Sequence, residues 1–211
     1  MGRPSVAVER RRQILEAAIR CVAAHGLAGT TMDRIAEEAG MARGHVRHFA
    51  GNRDDVLTAA AVLLYFGEVP DPDAGDPAVA HHGSFLPDEA HTVGAALDYL
   101  FGEFAEPGTE NTVALAFVEA GRSNPHINAI VLKAYTSSQN ELATLLIAEH
   151  PDATPDACQR IAYGILTIAI GNVFMADIEV DPQRTASARQ AAEQLVATLR
   201  HASPLPGASP S

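Results

Sequence analysis

Two cysteines, no tryptophan and 5% aromatic residues leave this 211-residue chain short of the side chains that staple small folds. Cys21 and Cys158 are too few, and too far apart in sequence, for a disulfide framework or a metal site. A reducing cytoplasm is the simplest compartment for such a chain. The N-terminus runs from Met1-Gly2-Arg3-Pro4-Ser5 into Arg10-Arg11-Arg12 and lacks the apolar core of a signal peptide. The most apolar segment, Ile161 to Ala176, is shorter than the roughly 20 residues a membrane span needs. It is expected to be a buried helix, with no membrane as partner. No internal repeat appears, nor any serine-containing elbow or glycine-rich phosphate loop. Glu119, His126 and His150 could supply acid-base groups, but nothing in their spacing aligns them, and no enzyme is expected. His81, His82 and His91 have no cysteine or patterned carboxylate beside them, and adjacent histidines do not readily share one ion. They are expected to decorate a loop, and no metal or cofactor is expected.

Positive charge is also scarce, and its distribution is informative. The formal net charge is −11, from 15 basic and 26 acidic residues. Residues 1–57 hold nine arginines and seven acids, a balance of +2; the remaining six basic and nineteen acidic residues give −13 to 58–211. Only one end of the chain is therefore suited to meeting phosphate, and the acidic remainder discourages nucleic acid from binding elsewhere.

Apolar residues make up 47% of the chain, enough for a core, and the alanine-rich, aromatic-poor composition favours helices. Ile14, Leu15, Ala18, Ile19 and Val22 recur at helical spacing and predict a helix over 9–25, stopped at His25-Gly26. Thr30 and Thr31 are candidate caps for a second helix over 31–38, with Asp33 at capping-box spacing from Thr30. A glycine turn at Gly40 leads to a third helix over about 42–48. Its exposed positions are Arg43, His45, Arg47 and His48, rich in donors and free of acids, which suits the DNA major groove. Arg53-Asp54-Asp55 opens a fourth helix through about Phe66. Residues 67–92, crowded with proline, glycine and aspartate, are expected to be irregular. Helices follow near 92–105, 111–122, 125–149, 155–178 and 183–201, and 202–211 reads as a solvated tail. The chain is expected to be all-α.

The run Thr30-Thr31-Met32-Asp33-Arg34-Ile35-Ala36-Glu37-Glu38-Ala39-Gly40-Met41, continued without a gap by Arg43-Gly44-His45-Val46-Arg47-His48-Phe49-Ala50-Gly51-Asn52-Arg53-Asp54-Asp55-Val56-Leu57, resembles the DNA-binding segment of the TetR family of bacterial repressors. That motif spans about a quarter of the chain; the rest resembles the family only in its helical pattern. Ala42 stands where the family usually has Ser or Thr, Arg47 where it often has Tyr, and Ala50 where it often has Phe or Val. The resemblance implies an N-terminal three-helix DNA-binding domain over 1–57 and a helical effector-binding and dimerisation domain over 58–201. It also implies that Thr31, Arg43, Gly44, His45, Arg47, His48 and Arg53 meet DNA. Arg3 and Arg10 to Arg12, on a disordered arm, would follow the backbone or minor groove, or serve only as a solvated charge run.

One recognition helix reads too few bases, so a twofold dimer on a palindromic double-stranded operator is expected. Helix 155–178 is apolar on two faces, and the family typically dimerises through its last two helices. Ile161, Ile165, Ile168, Asn172, Ala188, Ala192, Leu195 and Leu199 are the expected interface. The resemblance further implies a cavity for a small, unidentified effector, with Tyr99, Phe101, Phe104, Phe117, Tyr135 and Asn140 as candidate lining. The expected function is a ligand-responsive homodimeric repressor. The alternatives are a regulator without an effector, an activator, and more remotely an enzyme built on the helical body.

Overall fold

The apolar stripe of the first helix organises the N-terminal part of the structure. In the computed structural model, which describes residues 6–71 and 83–199, helix α1 (Val6–Gly29) buries Ile14, Leu15, Ala17, Ala18, Cys21 and Val22. Against that stripe pack α2 (Met32–Glu38), α3 (Arg43–Ala50) and α4 (Arg53–Phe66). Ile35, Val46, Val56, Ala60 and Val62 from these helices are fully sequestered in the same core. Three more helices follow the undescribed segment: α5 (Val93–Leu100), α6 (Thr109–Gly121) and α7 (Pro125–Glu149). The last two are α8 (Pro155–Ile178) and α9 (Pro182–Leu199). Among the described residues there is no strand, as expected of an all-α chain.

The chain divides into two compact units, one built from residues up to Phe85 with Gly108–Ser137, the other from Leu86–Pro107 with the residues from Ser138 on. The first therefore holds α1–α4 and α6, with Val113 and Phe117 of α6 and Ile127, Ile130 and Val131 of α7 in the α1 core. In the second unit α8 and α9 form an antiparallel pair, with Ala162, Ile165, Leu166, Ala169 and Val173 buried on α8 and Ala192, Val196 and Leu199 on α9.

Several local expectations are corrected. Helix α1 leaves helical geometry at Gly26, φ 65 and ψ 173, where the sequence placed its stop, and a further helical turn beyond that kink runs to Gly29. Arg10, Arg11 and Arg12 lie on α1 rather than on a disordered arm, while Arg3 lies outside the described residues. Thr31, not Thr30, caps α2, its hydroxyl accepting from the Arg34 N–H at 3.3 Å. Thr30 is buried and its hydroxyl donates back to the Gly26 carbonyl at 2.8 Å, which closes the end of α1 instead. The helix expected over 92–105 ends at Leu100; Gly102 leaves helical geometry and a 3-10 turn, Glu103–Ala105, follows. The described parts of 67–92 are irregular; His81, His82 and the 202–211 tail lie outside the described residues.

Arg53, at the start of α4, points inward. Its Nε donates to the Thr30 carbonyl at 2.6 Å and its Nη2 to the Leu27 carbonyl, so it ties α4 to the last turn of α1. Asn52 and Asp55 complete a reciprocal capping box around it. Replacing Arg53 by Met is expected to lower stability by about 1–3 kcal/mol, because two carbonyls lose charge-assisted donors. Urea unfolding followed by circular dichroism measures this, and an unchanged midpoint would show that Arg53 does no structural work.

Candidate nucleic-acid interface

Two short helices cross at a turn whose hydrogen bonds are fully accounted for. Gly40 takes the left-handed conformation, φ 62, that a side chain would make costly. Its N–H donates to the Glu37 carbonyl at 3.0 Å and that of Met41 to the Ala36 carbonyl at 2.9 Å. This is the Schellman pattern, and it satisfies the orphan carbonyls of α2 while sending the chain into α3. Ala42 then starts α3 without a side-chain cap. The helix is anchored through its neighbours: Val46 and Ala50 are buried, Gln13 of α1 donates to the Ala39 carbonyl at 2.8 Å, and Arg11 donates to the Phe49 carbonyl at 3.3 Å.

With Val46 and Ala50 facing the core, α3 exposes Arg43, Gly44, His45, Arg47 and His48 to solvent. Thr31, the N-cap of α2, is also exposed. The face so assembled carries donors and no carboxylate of its own. The Arg43 guanidinium meets both carboxylate oxygens of Asp33, each at 3.0 Å. Asp33 was expected to serve the start of α2 as a capping-box acid, and its pairing with Arg43 was not expected. The pair is exposed, so it orients Arg43 more than it stabilises the fold. The His48 ring meets Phe49 edge-on, with centroids 4.9 Å apart. Arg53, which the resemblance places on phosphate, has its guanidinium on the α1 carbonyls described above.

The candidate effector residues divide between the units. In the first, Phe117 is fully buried in the core. Tyr135 packs edge-on against Tyr65 and Phe85, at centroid separations of 6.2 and 5.5 Å. The Tyr65 hydroxyl donates to the Ala114 carbonyl at 3.1 Å. Burial pushes the Tyr65 phenol far above its ordinary value, with the adjacent Tyr135 phenol adding to the effect, and burial raises Tyr135 as well. Tyr65 and Phe85 carry no sequence signal for this grouping, Tyr65 lying in the apolar run that ends α4 and Phe85 in the irregular segment. In the second unit Tyr99 packs on Phe104 with centroids 5.9 Å apart, whereas Asn140 is exposed and accepts from the Gln159 amide at 3.1 Å. Phe101 lines an open groove of about 410 Å³ with Ala105, Ala176, Val180, Thr185 and Arg189.

The expected interface residues all lie on the α8–α9 pair. Ile165, Asn172, Ala192 and Leu199 are buried inside the second unit, and Asn172 hydrogen-bonds Thr185 across the α8–α9 seam at 3.3 Å. Ile161, Ile168, Ala188 and Leu195 flank that seam and are only half-buried. The uncovered stripe of α8 is instead Tyr163, Thr167, Gly171, Met175 and Ile178, with Tyr163 64% and Ile178 78% exposed. At 24 residues and a mean hydropathy of 1.7, α8 is long and apolar enough to cross a membrane, so the argument from the shorter run Ile161 to Ala176 does not hold. Its other face is a packed protein seam. Among the described residues no cluster of His, Cys, Asp or Glu could hold a metal.

Residues 14–60 match the sequence model of bacterial regulatory proteins of the TetR family. A transcriptional repressor of Corynebacterium efficiens, AcnR, is 41% identical over 54 residues, 26% of this chain and 29% of that protein, so the aligned segment spans well under a third of that relative. A transcriptional regulator from Pseudomonas aeruginosa PAO1 shares the fold over 92% of this chain and 91% of its own, with a TM-score of 0.70 at 21% identity. The multidrug binding protein EbrR, solved with proflavin, aligns over 88% of this chain and 99% of its own at 20% identity and a TM-score of 0.55.

Two measurements test this description. Gly44 has ordinary helical geometry and nothing within 4 Å of where a Cβ would lie, so the fold has no need of glycine there. Gly44→Ala is expected to raise stability by about 0.5–1 kcal/mol; a loss in thermal or urea unfolding would show that the glycine serves the fold. The buried phenol makes stability depend on alkaline pH. Its folded pKa is raised, so its contribution is complete below the unfolded value of about 10 and is lost as pH rises above it. Tyr65→Phe is expected to be less stable at neutral pH but to lose less stability above pH ~10. Parallel pH–stability curves for the two proteins would refute the assignment.

Proposed function

Because the chain belongs to the TetR family of bacterial regulatory proteins, we propose that this transcriptional regulator is a homodimeric repressor. It binds a palindromic operator and is released by a small apolar effector. The observation that carries the reading is the seated recognition helix: α3 turns two apolar residues inward and leaves its donors outward, with no acid among them. Residues 1–57 serve as the reading head and 58–201 as the effector and dimerisation part. Thr31, Arg43, Gly44, His45, Arg47 and His48 face the duplex, and Arg53 supports the head from inside. The family is one of regulators, and no catalytic role is assigned to Glu119, His126 or His150.

Dimerisation is supported by the uncovered faces of α8 and α9. The stripe Tyr163, Thr167, Gly171, Met175 and Ile178 carries no charge, and the exposed α9 face of Ala186, Gln190, Gln194 and Ala197 carries one acid, Glu193, which is paired with Arg189. An apolar stripe left in water on one helix, beside a mostly uncharged one on the next, suits a four-helix seam between two copies. The effector reading is supported by the half-buried aromatic group of Tyr65, Phe85 and Tyr135 and by the proflavin bound to the structurally similar EbrR. An effector shifts operator affinity only as far as it prefers one spacing of the two reading heads over another.

Selection of random duplex DNA by the purified protein at physiological salt is expected to return a palindrome with two half-sites about one helical turn apart. Sedimentation is expected to give a dimer, and Tyr163→Glu a folded monomer that binds the palindrome at least about tenfold more weakly, since two half-sites no longer bind together. A folded dimer that enriches no sequence would sink the operator reading; a Tyr163→Glu protein that stays dimeric would move the interface elsewhere.

A further inference from the structure

Resting on the reading that α3 enters the major groove, we propose that Arg47 is the base-reading residue of this protein and that it selects a guanine in each half-site. Most guanidinium groups of the N-terminal unit are engaged within the fold. Of the arginines described up to residue 57, Arg11 donates to the Phe49 carbonyl, Arg34 to Gly29, and Arg53 to Thr30 and Leu27. Arg20 pairs with Glu38, Arg43 with Asp33, and Arg10 bonds Gln13. Arg12 lies on α1. Arg47 is the arginine of α3 whose guanidinium has no hydrogen bond or ion pair to any described residue, and it is exposed.

Helical side chains lean toward the helix N-terminus, so Arg47 reaches over the turn that holds Arg43 and Gly44. Gly44 lies three residues before it, on the same face. A Cβ at Gly44 would meet nothing within 4 Å, so the guanidinium has no neighbouring side chain in its way. A glycine in a helix interior weakens the helix, and here the fold gains nothing from it. Its use is the close approach of α3 to the groove floor beneath the Arg47 side chain.

The chemistry then selects the base. Guanine presents two acceptors, O6 and N7, spaced for the fork of a guanidinium. Adenine and cytosine each display a donor in the major groove, most often read by an amide or carboxylate acceptor. Helix α3 has neither, and among its exposed side chains Arg43, His45, Arg47 and His48 the histidines offer at most one acceptor nitrogen each. A histidine ring cannot hold two acceptors as a fork does. Arg43 is held toward α2 by its Nη1, which meets both oxygens of Asp33 in an exposed pair. Arg47 carries no such tie, and the guanine is assigned to its fork.

The test repeats the duplex selection with the wild-type protein, Arg47→Ala and Arg47→Lys, each confirmed folded and dimeric. The wild type is expected to select a palindrome with one fixed guanine per half-site. Deazaguanine, which lacks the N7 acceptor, is expected to weaken binding about tenfold at that position. Arg47→Ala is expected to accept all four bases there while keeping the remaining positions. Arg47→Lys keeps the charge but not the fork, and it too is expected to lose the guanine. Suppose instead that Arg47→Ala weakens every sequence alike and lowers the salt slope by about one, with the guanine still selected. Arg47 would then hold a phosphate, and the proposal is overturned. A palindrome without a fixed guanine also overturns it while leaving the operator reading intact. A folded dimer that enriches nothing overturns both.

Discussion

The burial of one face of α1 is the constraint on which the N-terminal unit depends. Ile14, Leu15, Ala17, Ala18, Cys21 and Val22 give α2, α3, α4 and α6 a common surface. Neither α2, with seven residues, nor α3, with eight, is long enough to be helical alone in water. Each fully buried aliphatic side chain contributes about 1.5–3 kcal/mol, so the few that α2 and α3 supply outweigh their poor intrinsic helicity. The polar ties from Gln13 and Arg11 add direction rather than bulk energy. They fix where α3 begins and ends relative to α1.

Charge in this unit is divided by use. A composition-level balance of +2 suggested a surface for phosphate, yet several of its arginines satisfy carbonyls at helix ends. Arg34 closes onto Gly29 and Arg53 onto Leu27 and Thr30, so the end of α1 is wrapped by cations from α2 and α4. A helix C-terminus carries partial negative charge, and the arrangement follows from that dipole. The same placement keeps the kinked segment from Gly26 to Thr30 in register with α4.

Much of this was legible in the sequence. Apolar periodicity in α1, and caps, the Gly40 turn and proline or glycine punctuation elsewhere, located all nine described helices; α7 and α8 begin at the expected residues because proline opens each. Gly40 announced its turn. Three things were less legible, for identifiable reasons. Thr30 and Thr31 are both competent caps, and only the kink at Gly26 decides which of them turns back into α1. Helix α8 is apolar on two faces, and periodicity alone does not say which face α9 covers. Gly164 decides this: a Cβ there would sit 3.0 Å from Leu195 Cδ1, so α9 packs on the glycine side and leaves Tyr163 and Met175 in water. The inward path of Arg53 was hidden because its partners are main-chain carbonyls, which have no sequence signature.

The recognition helix itself is the least self-sufficient element of the unit. It lacks a side-chain cap at Ala42, carries Gly44 in its second position and buries only Val46 and Ala50. Local propensity thus opposes the structure where the sequence is most specific, as happens where residues are retained for what they contact rather than for what they support. Each omission is small: about 1 kcal/mol for the missing cap and slightly less for the glycine. Both are tolerable because the Schellman turn and the α1 core determine the helix from outside. An exposed face freed from holding its own helix together can vary in sequence without loss of fold, and base preference can change while the scaffold stays constant.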